Sequence, residues 1–361
     1  MMATKIDQMS SSRTIAKDFA QNAPAIPSLL VSADAHVDEP MDLWDSLPAD
    51  VRAQLPKLGR PADIRPQGGL NPKVRLEHMD QDGVAADVLY PTAALRAFCL
   101  PREVQELAFR LYNDWLADYC KTDPKRLFGV PCICTYDIDA AVKELQRCAD
   151  MGLLGGLIWQ MPDPKLPFNS LHYEKLWAAA AELGKPINLH ILSGFSYFKD
   201  RSKLAGNEIV RGAVNTRIGE ILGVVFDFIW YGTFDRHPKL KIEIVEAEIG
   251  WVPFALQQWD YYYSRFSKEG QSAKQEFTIS RPPSEIFNEH IYCTFMDDVV
   301  GTHALNIWGD KNCMWSSDYP HANMTWPNSK AFIARQIGKL PMDKQKRLTS
   351  QNVIDLYGLK L

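Results

Sequence analysis

An α/β barrel of the (β/α)8 (TIM) type is the fold this sequence predicts. Short apolar segments alternate with longer amphipathic ones along the chain, the rhythm of repeated strand–helix units. The short segments number eight, which favours a closed parallel barrel over a doubly wound open sheet.

The elements follow in order. The first strand, Leu29 to Asp34, opens on Leu29-Leu30-Val31 and runs out at Asp34-Ala35-His36. Pro40 to Asn71 is rich in Pro, Asp and Gly and reads as an insertion over the barrel mouth. A helix over Leu76 to Asp82 carries His78, a surface or interhelix residue. The second and third strands are Ala86 to Tyr90 and Leu127 to Ile133. Asp137 caps a helix that runs to Met151, with Gly152 as its stop. Gly155 to Gln160 is the fourth strand; the helix Tyr173 to Leu183 then ends at Gly184-Lys185-Pro186, a glycine stop followed by proline.

Ile187 to Ile191 is the fifth strand. The long segment Phe195 to Phe234 after it contains an aromatic-rich helix, Ile218 to Tyr231. Lys241 to Val245 is the sixth strand, followed by Tyr261 to His290, a connection with three adjacent tyrosines and a polar middle. Ile291 to Phe295 and Cys313 to Ser317 complete the eight, and Asp343 to Tyr357 is a last helix stopped by Gly358. Long connections that follow barrel strands line pockets on the C-terminal face. The predicted organisation is a flexible tail, 1–27, and a single domain, 28–361.

Composition narrows the functional class. The chain has 361 residues, 46% hydrophobic and 23% charged, with a net charge of −4. No basic stripe is visible, which argues against nucleic acid and anionic membranes and leaves small molecules as ligands. No apolar run is long enough to span a bilayer, and the polar start lacks a signal-peptide core, so a cytoplasmic location is expected. Seven scattered cysteines, including Cys132-Ile133-Cys134, read as reduced thiols.

Chemistry concentrates at the strand ends. Asp34 and His36, two positions apart, share one face of a strand and form half of a divalent-metal site. His190 stands where the fifth strand's apolar pattern stops, and Asp318 where the eighth does. Each alone reads more readily as a cap or a core residue. Together they would meet at one face of a closed barrel, as two imidazoles and two carboxylates suited to Zn²⁺, Mn²⁺ or Fe²⁺. Alternation puts Glu246 and Glu248 on one face of the sixth strand and Glu243 on the other. Glu246, where the strand enters the pocket, is the candidate base or additional ligand, and Glu248 reads as a salt-bridged strand end. His321, on the same loop as Asp318, is a candidate for substrate or metal contact. His172 and His237 read as structural, and His290 and His303 belong to no constellation.

Substrate clues are fewer. Trp44, Trp159, Phe195, Tyr197, Phe198, Trp230 and Trp251 suggest a flat apolar pocket for a cyclic or aromatic compound. Arg201, Arg211 and Arg217 could hold a substrate carboxylate.

Several stretches in combination resemble the amidohydrolase superfamily, in particular the group that includes aminocarboxymuconate-semialdehyde decarboxylase and the resorcylate-type decarboxylases. They are Asp34-Ala35-His36 with Glu39-Pro40, Leu76-Glu77-His78-Met79-Asp80 with Gly83-Val84, Leu176 to Pro186 leading to His190, Pro238-Lys239-Leu240-Lys241, Ser317-Asp318-Tyr319-Pro320-His321, and Asn352 to Gly358. The resemblance implies a distorted (β/α)8 barrel with insertions over the C-terminal face and one divalent metal on Asp34, His36, His190 and Asp318, with Zn²⁺ the first choice and Mn²⁺ or Fe²⁺ alternatives. It also implies a homo-oligomer. The chain departs from the pattern at Asp38, where the semialdehyde decarboxylase type has a second histidine, and at Glu246, where those decarboxylases use a histidine beside the metal.

That carboxylate shifts the leading expectation to a hydrolase. Metal-activated water, with Glu246 as base and Asp318 and His321 assisting, would attack a cyclic or aromatic carboxylic compound. The alternatives are a non-oxidative decarboxylase, a binuclear iron or manganese oxygenase with a second metal, and a non-catalytic metal-binding subunit.

Overall fold

The computed structural model describes residues 24–59, 66–195, 218–269 and 279–361, with 206, 207 and 214 between the second and third stretches. Most of the expected tail, the middle of the Tyr261 to His290 connection, and Tyr197, Phe198, Arg201, Arg211 and Arg217 lie outside the described residues.

The expected eight strands are present: β1 Val31–Val37, β2 Ala86–Pro91, β3 Leu127–Gly129, β4 Gly156–Ile158, β5 Ile187–His190, β6 Ile242–Val245, β7 Ile291–Phe295 and β8 Cys313–Trp315. All pair in parallel, as the sheets β1-β2-β3 and β4-β5-β6-β7-β8. Two seams join them. Between β3 and β4, Ile133 N donates to Leu157 O and Leu157 N to Pro131 O, both at 2.8 Å. Between β8 and β1, Asp318 N donates to Asp34 O at 3.0 Å and His36 N to Tyr319 O at 2.6 Å. The result is a (β/α)8 barrel.

Helices alternate with the strands, and their ends match the local chemistry. Among them are α1 Pro72–Asp82, α2 Arg102–Cys120, α3 Ile138–Asp150, α4 Glu174–Leu183, α5 Gly219–Trp230, α6 Val252–Glu269, α7 Pro283–His290, α8 Val299–Ala304 and α9 Ser329–Ile337. Asn71 caps α1 through Lys73 N and Val74 N, and Asp137 caps α3 through Ala140 N. Gly184 ends α4 in the left-handed conformation, with φ 61°. Inside the barrel wall Ile242 and Ile244 are fully buried, each contributing about 1.5–3 kcal/mol.

Three expectations change. First, β1 does not stop at Asp34; it continues to Val37 with an irregularity between Ser32 and Ala35. Polar residues signal a strand end only where the strand meets solvent, and this one is buried throughout. Second, the three tyrosines from Tyr261 to Tyr263 lie on α6, not in a loop. Third, the last helix divides into Met342–Lys346, a π turn over Arg347–Gln351, and Asn352–Tyr357.

The insertion returns to the barrel at Gly68-Gly69. Asp38 N donates to Gly69 O at 2.9 Å. A Cβ at Gly69 would strike the Asp38 carboxylate and the Pro320 ring, so only glycine lets this segment pass between the ends of β1 and β8.

Candidate metal centre

Asp34 and His36 project from within β1, His190 is the last residue of β5, and Asp318 lies just past β8. All four side chains are fully buried. The β8–β1 seam explains why residues so distant in the chain are adjacent: its two backbone bonds lace Asp34 and His36 to Asp318 and Tyr319. Glu246 comes first after β6, where alternation no longer applies, because Glu246, Glu248 and Asp318 all adopt positive φ, at 60°, 56° and 51°. Such backbone costs about 1–2 kcal/mol per residue outside glycine and tends to persist at sites whose surroundings enforce it.

The functional atoms converge. His36 Nε2 lies 3.4 Å from Asp34 Oδ1, 3.5 Å from Asp318 Oδ1 and 3.2 Å from His190 Nε2. His190 Nε2 is 3.8 Å from Asp34 Oδ1 and 3.5 Å from Glu246 Oε2. His321 Nδ1 approaches Asp318 Oδ1 at 2.7 Å while its ring stacks on His36 at 3.9 Å, and its Nε2 is 3.3 Å from Thr92 Oγ1. The structure gathers Asp34, His36, His190, Glu246, Asp318 and His321 into one cluster, in which Asp318 falls in a different candidate ligand group from Asp34 and His190.

Tautomers show what this cluster is suited to hold. His36 Nδ1 faces Pro91 O at 2.8 Å and His190 Nδ1 faces Ile191 O at 2.7 Å. A carbonyl oxygen can only accept, so both Nδ1 atoms carry hydrogen, and in neutral rings both Nε2 atoms present lone pairs. Two lone pairs 3.2 Å apart, with carboxylate oxygens alongside, repel unless a cation lies among them. Ligand bonds of about 2.0–2.2 Å imply ligand-to-ligand edges of roughly 3.0–3.6 Å, the spacing seen here. The residues fit a divalent metal. They form two overlapping groups, Asp34, His36, His190 and Glu246, and His36, Glu246, Asp318 and His321.

Supporting side chains lock these positions. Arg75, fully buried, donates to His36 O, to Gly68 O at 3.1 Å and to Asp87 Oδ2 at 2.8 Å, and lies over the Tyr319 ring. Glu39 accepts from the backbone N–H groups of Thr92, Ala93 and Ala94, which places Thr92 beside His321. Burial pushes the Glu39 carboxyl up, against those hydrogen bonds.

Beneath the centre is a second acidic group that alternation had assigned to the opposite face. Glu243 lies inside the barrel, where its Oε2 accepts from Asn188 Nδ2 at 2.6 Å, from Tyr90 OH at 3.0 Å and from Tyr357 OH. Burial pushes this carboxyl up to about 7, opposed by the three hydrogen bonds. The signal was available: an acid flanked by Ile242 and Ile244 in a buried strand needs donors around it.

The remaining candidates fall away from the centre. Trp159 is buried and donates to Tyr173 OH at 3.1 Å; Trp44 donates to Pro56 O at 3.2 Å. These two rings pack within the hydrophobic core. Glu248 accepts from Met296 N at 3.1 Å. His78 shares a 2.6 Å hydrogen bond with Tyr319 OH, His172 meets Thr135 O, and His237 pairs with Glu174 at 2.8 Å.

A parallel (β/α)8 barrel with histidines and carboxylates gathered at its strand ends defines a metal-dependent barrel enzyme. The chain belongs to the amidohydrolase family, whose model matches residues 33–359. It is 26% identical over 342 residues to gamma-resorcylate decarboxylase of Rhizobium sp. (strain MTP-10005), covering 91% of this chain and 98% of the relative. It is 28% identical over 235 residues to the decarboxylase orsB of Emericella nidulans, covering 61% and 64%. Among solved structures, 5-carboxyvanillate decarboxylase LigW from Sphingomonas paucimobilis superposes with a TM-score of 0.71 at 22% identity, over 92% of this chain and all of the other. A dihydroxybenzoic acid decarboxylase from Polaromonas sp. JS666, with bound manganese and 2-nitroresorcinol, does so at 0.66 and 19%, over 91% and 97%. These relatives are decarboxylases, which weighs against hydrolysis as the leading reading. Manganese is the metal named in such a neighbour, and nothing singles out zinc. Among the described residues no helix is long and apolar enough to cross a membrane.

Proposed function

We propose that this protein is a divalent-metal-dependent, non-oxidative decarboxylase of a hydroxylated aromatic carboxylic acid. The observation that carries the reading is the nearly full-length relationship to gamma-resorcylate decarboxylase, together with a cluster whose imidazole lone pairs fit a cation. Asp34, His36, His190 and Asp318 hold the metal. A bound metal would supply Lewis acidity toward the substrate's oxygens. Glu246 stands beside His190; in its protonated form it gives the ring carbon the proton that takes the place of the departing CO2, and the carboxylate left behind is reprotonated from water. His321, fixed between Asp318 and Thr92, orients the substrate oxygen that faces Asp318.

The test is direct. Protein loaded with Mn²⁺, Zn²⁺ or Fe²⁺ is incubated with 2,6-dihydroxybenzoate and with 5-carboxyvanillate, and released CO2 is measured. Release that requires the metal supports the reading; turnover of cyclic esters or amides with no CO2 from any hydroxybenzoate overturns it in favour of hydrolysis. A second reading rests on Glu246 belonging to both overlapping ligand groups, since a carboxylate can bridge two ions through its two oxygens. Two equivalents of iron per chain with dioxygen uptake would establish that reading instead.

A further inference from the structure

β7 contributes no residue to the metal centre, yet its end is where the adjacent turn is held. That turn, 246–250, contains two left-handed non-glycine residues, Glu246 and Glu248. Left alone it would relax. A change of φ from the left-handed to the right-handed region turns the chain by roughly 120° about N–Cα and swings the side chain away from its present target.

β7 and the segment that follows it hold the turn at several points. Thr294, fully buried on β7, accepts from Glu246 N through Oγ1 at 2.8 Å. Asp298 accepts from Ile249 N at 2.8 Å and Gly250 N at 2.5 Å through Oδ2, while its Oδ1 accepts from Gly301 N at 2.7 Å. Met296 N donates to Glu248 Oε2 at 3.1 Å. Trp251 closes the turn from its own side, donating from Nε1 to Ala247 O and Glu248 O, both at 3.1 Å. The two segments approach so closely that a Cβ on Gly301 would strike Ile249 and Asp298, and one on Gly250 would come within 3.1 Å of Asp298 Oδ1. The Asp298 carboxylate is clasped between two glycines.

We infer that Thr294 on β7 and Asp298, the N-cap of α8 just beyond it, are positioning residues that keep Glu246 left-handed and aimed at His190. Neither touches the centre; both act through the backbone of the turn. The inference rests on the proposed role of Glu246 only for its kinetic consequence, since the conformation can be read independently.

The experiment combines crystal structures of Thr294→Val and Asp298→Ala with a double-mutant comparison. Thr294→Val keeps the shape of the side chain but removes the acceptor, and Thr294→Ser restores it. In both variant structures Glu246 is expected to leave positive φ and its carboxylate to move away from His190. Glu246 remaining at φ near 60° and beside His190 in both overturns the inference, whatever the enzyme's activity proves to be.

Where CO2 release is measurable, Thr294→Val should lower kcat by about tenfold or more with little change in KM or Mn²⁺ affinity, and Thr294→Ser should recover most of it. The loss should vanish in a Glu246→Gln background, because there is no carboxylate left to aim. An equal loss in both backgrounds overturns the inference. Failure of the wild type to decarboxylate any acid overturns the proposed function alone and leaves the crystal structures to decide. If Thr294→Val does not fold, Gly301→Ala displaces the same turn and is read in the same way.

Discussion

Glu243 and Glu246 lie three residues apart on one strand and its exit, and they do different things. Glu243 is sealed inside the barrel, where its Oε2 accepts from the neutral donors Tyr90, Tyr357 and Asn188. Glu246 stands at the mouth, beside the Nε2 of His190, in a backbone conformation that only its neighbours sustain. A buried carboxylate surrounded by hydroxyl and amide donors is part of the fold. One aimed at imidazole lone pairs is available for chemistry.

The largest expected effects come from removing the cluster Glu246 faces. Asp318→Ala or His190→Ala should abolish stoichiometric Mn²⁺ binding in calorimetry and lower kcat/KM by at least about 10³-fold. Glu246→Gln should retain one bound metal while kcat drops by about 10²–10⁴-fold. Metal analysis showing that this variant loses one of two ions would make Glu246 a ligand and move it to the other side of the comparison.

Glu243→Gln should barely alter turnover but should change how stability depends on pH. The folded-state value near 7 lies above the ordinary 4.5, so the folded chain holds this proton more tightly than the unfolded one. The contribution is therefore fully present below about pH 4.5 and is lost as pH rises through 7, on the order of 3 kcal/mol in all. Urea titrations at pH 5.5 and 8.5 should show a smaller difference for Glu243→Gln than for the wild type. Activity loss equal to that of Glu246→Gln would erase the distinction between the two acids. Tyr357→Phe, which removes one donor to Glu243, should cost only about 1 kcal/mol, read in the same titrations.

The barrel was legible because its signals are local. Ile187 to His190 reads as a strand from its own residues, and Gly184 announces the end of α4 without reference to anything distant. Asp34, His36, His190 and Asp318 were legible as polar residues interrupting apolar runs. What could not be read depends on partners from elsewhere in the chain. Glu243 was placed on the wrong face because alternation was extended past Val245, where the strand stops and Glu246 turns left-handed. The hydrogen bonds from the turn after β6 to Thr294 and Asp298 could not be read, since neither residue belongs to a motif and both meet a segment distant in the chain. Composition alone did not show that Trp159 and Trp44 are buried in the core.

The seam between β1 and β8 has a consequence for how the protein is made. Asp34 and His36 leave the ribosome early and Asp318 only after most of the chain has been synthesised. No earlier intermediate holds the complete cation trap. Under the proposed metal binding, a chain truncated before β8 is expected to bind Mn²⁺ far more weakly than one carrying all eight strands, a difference calorimetry would read.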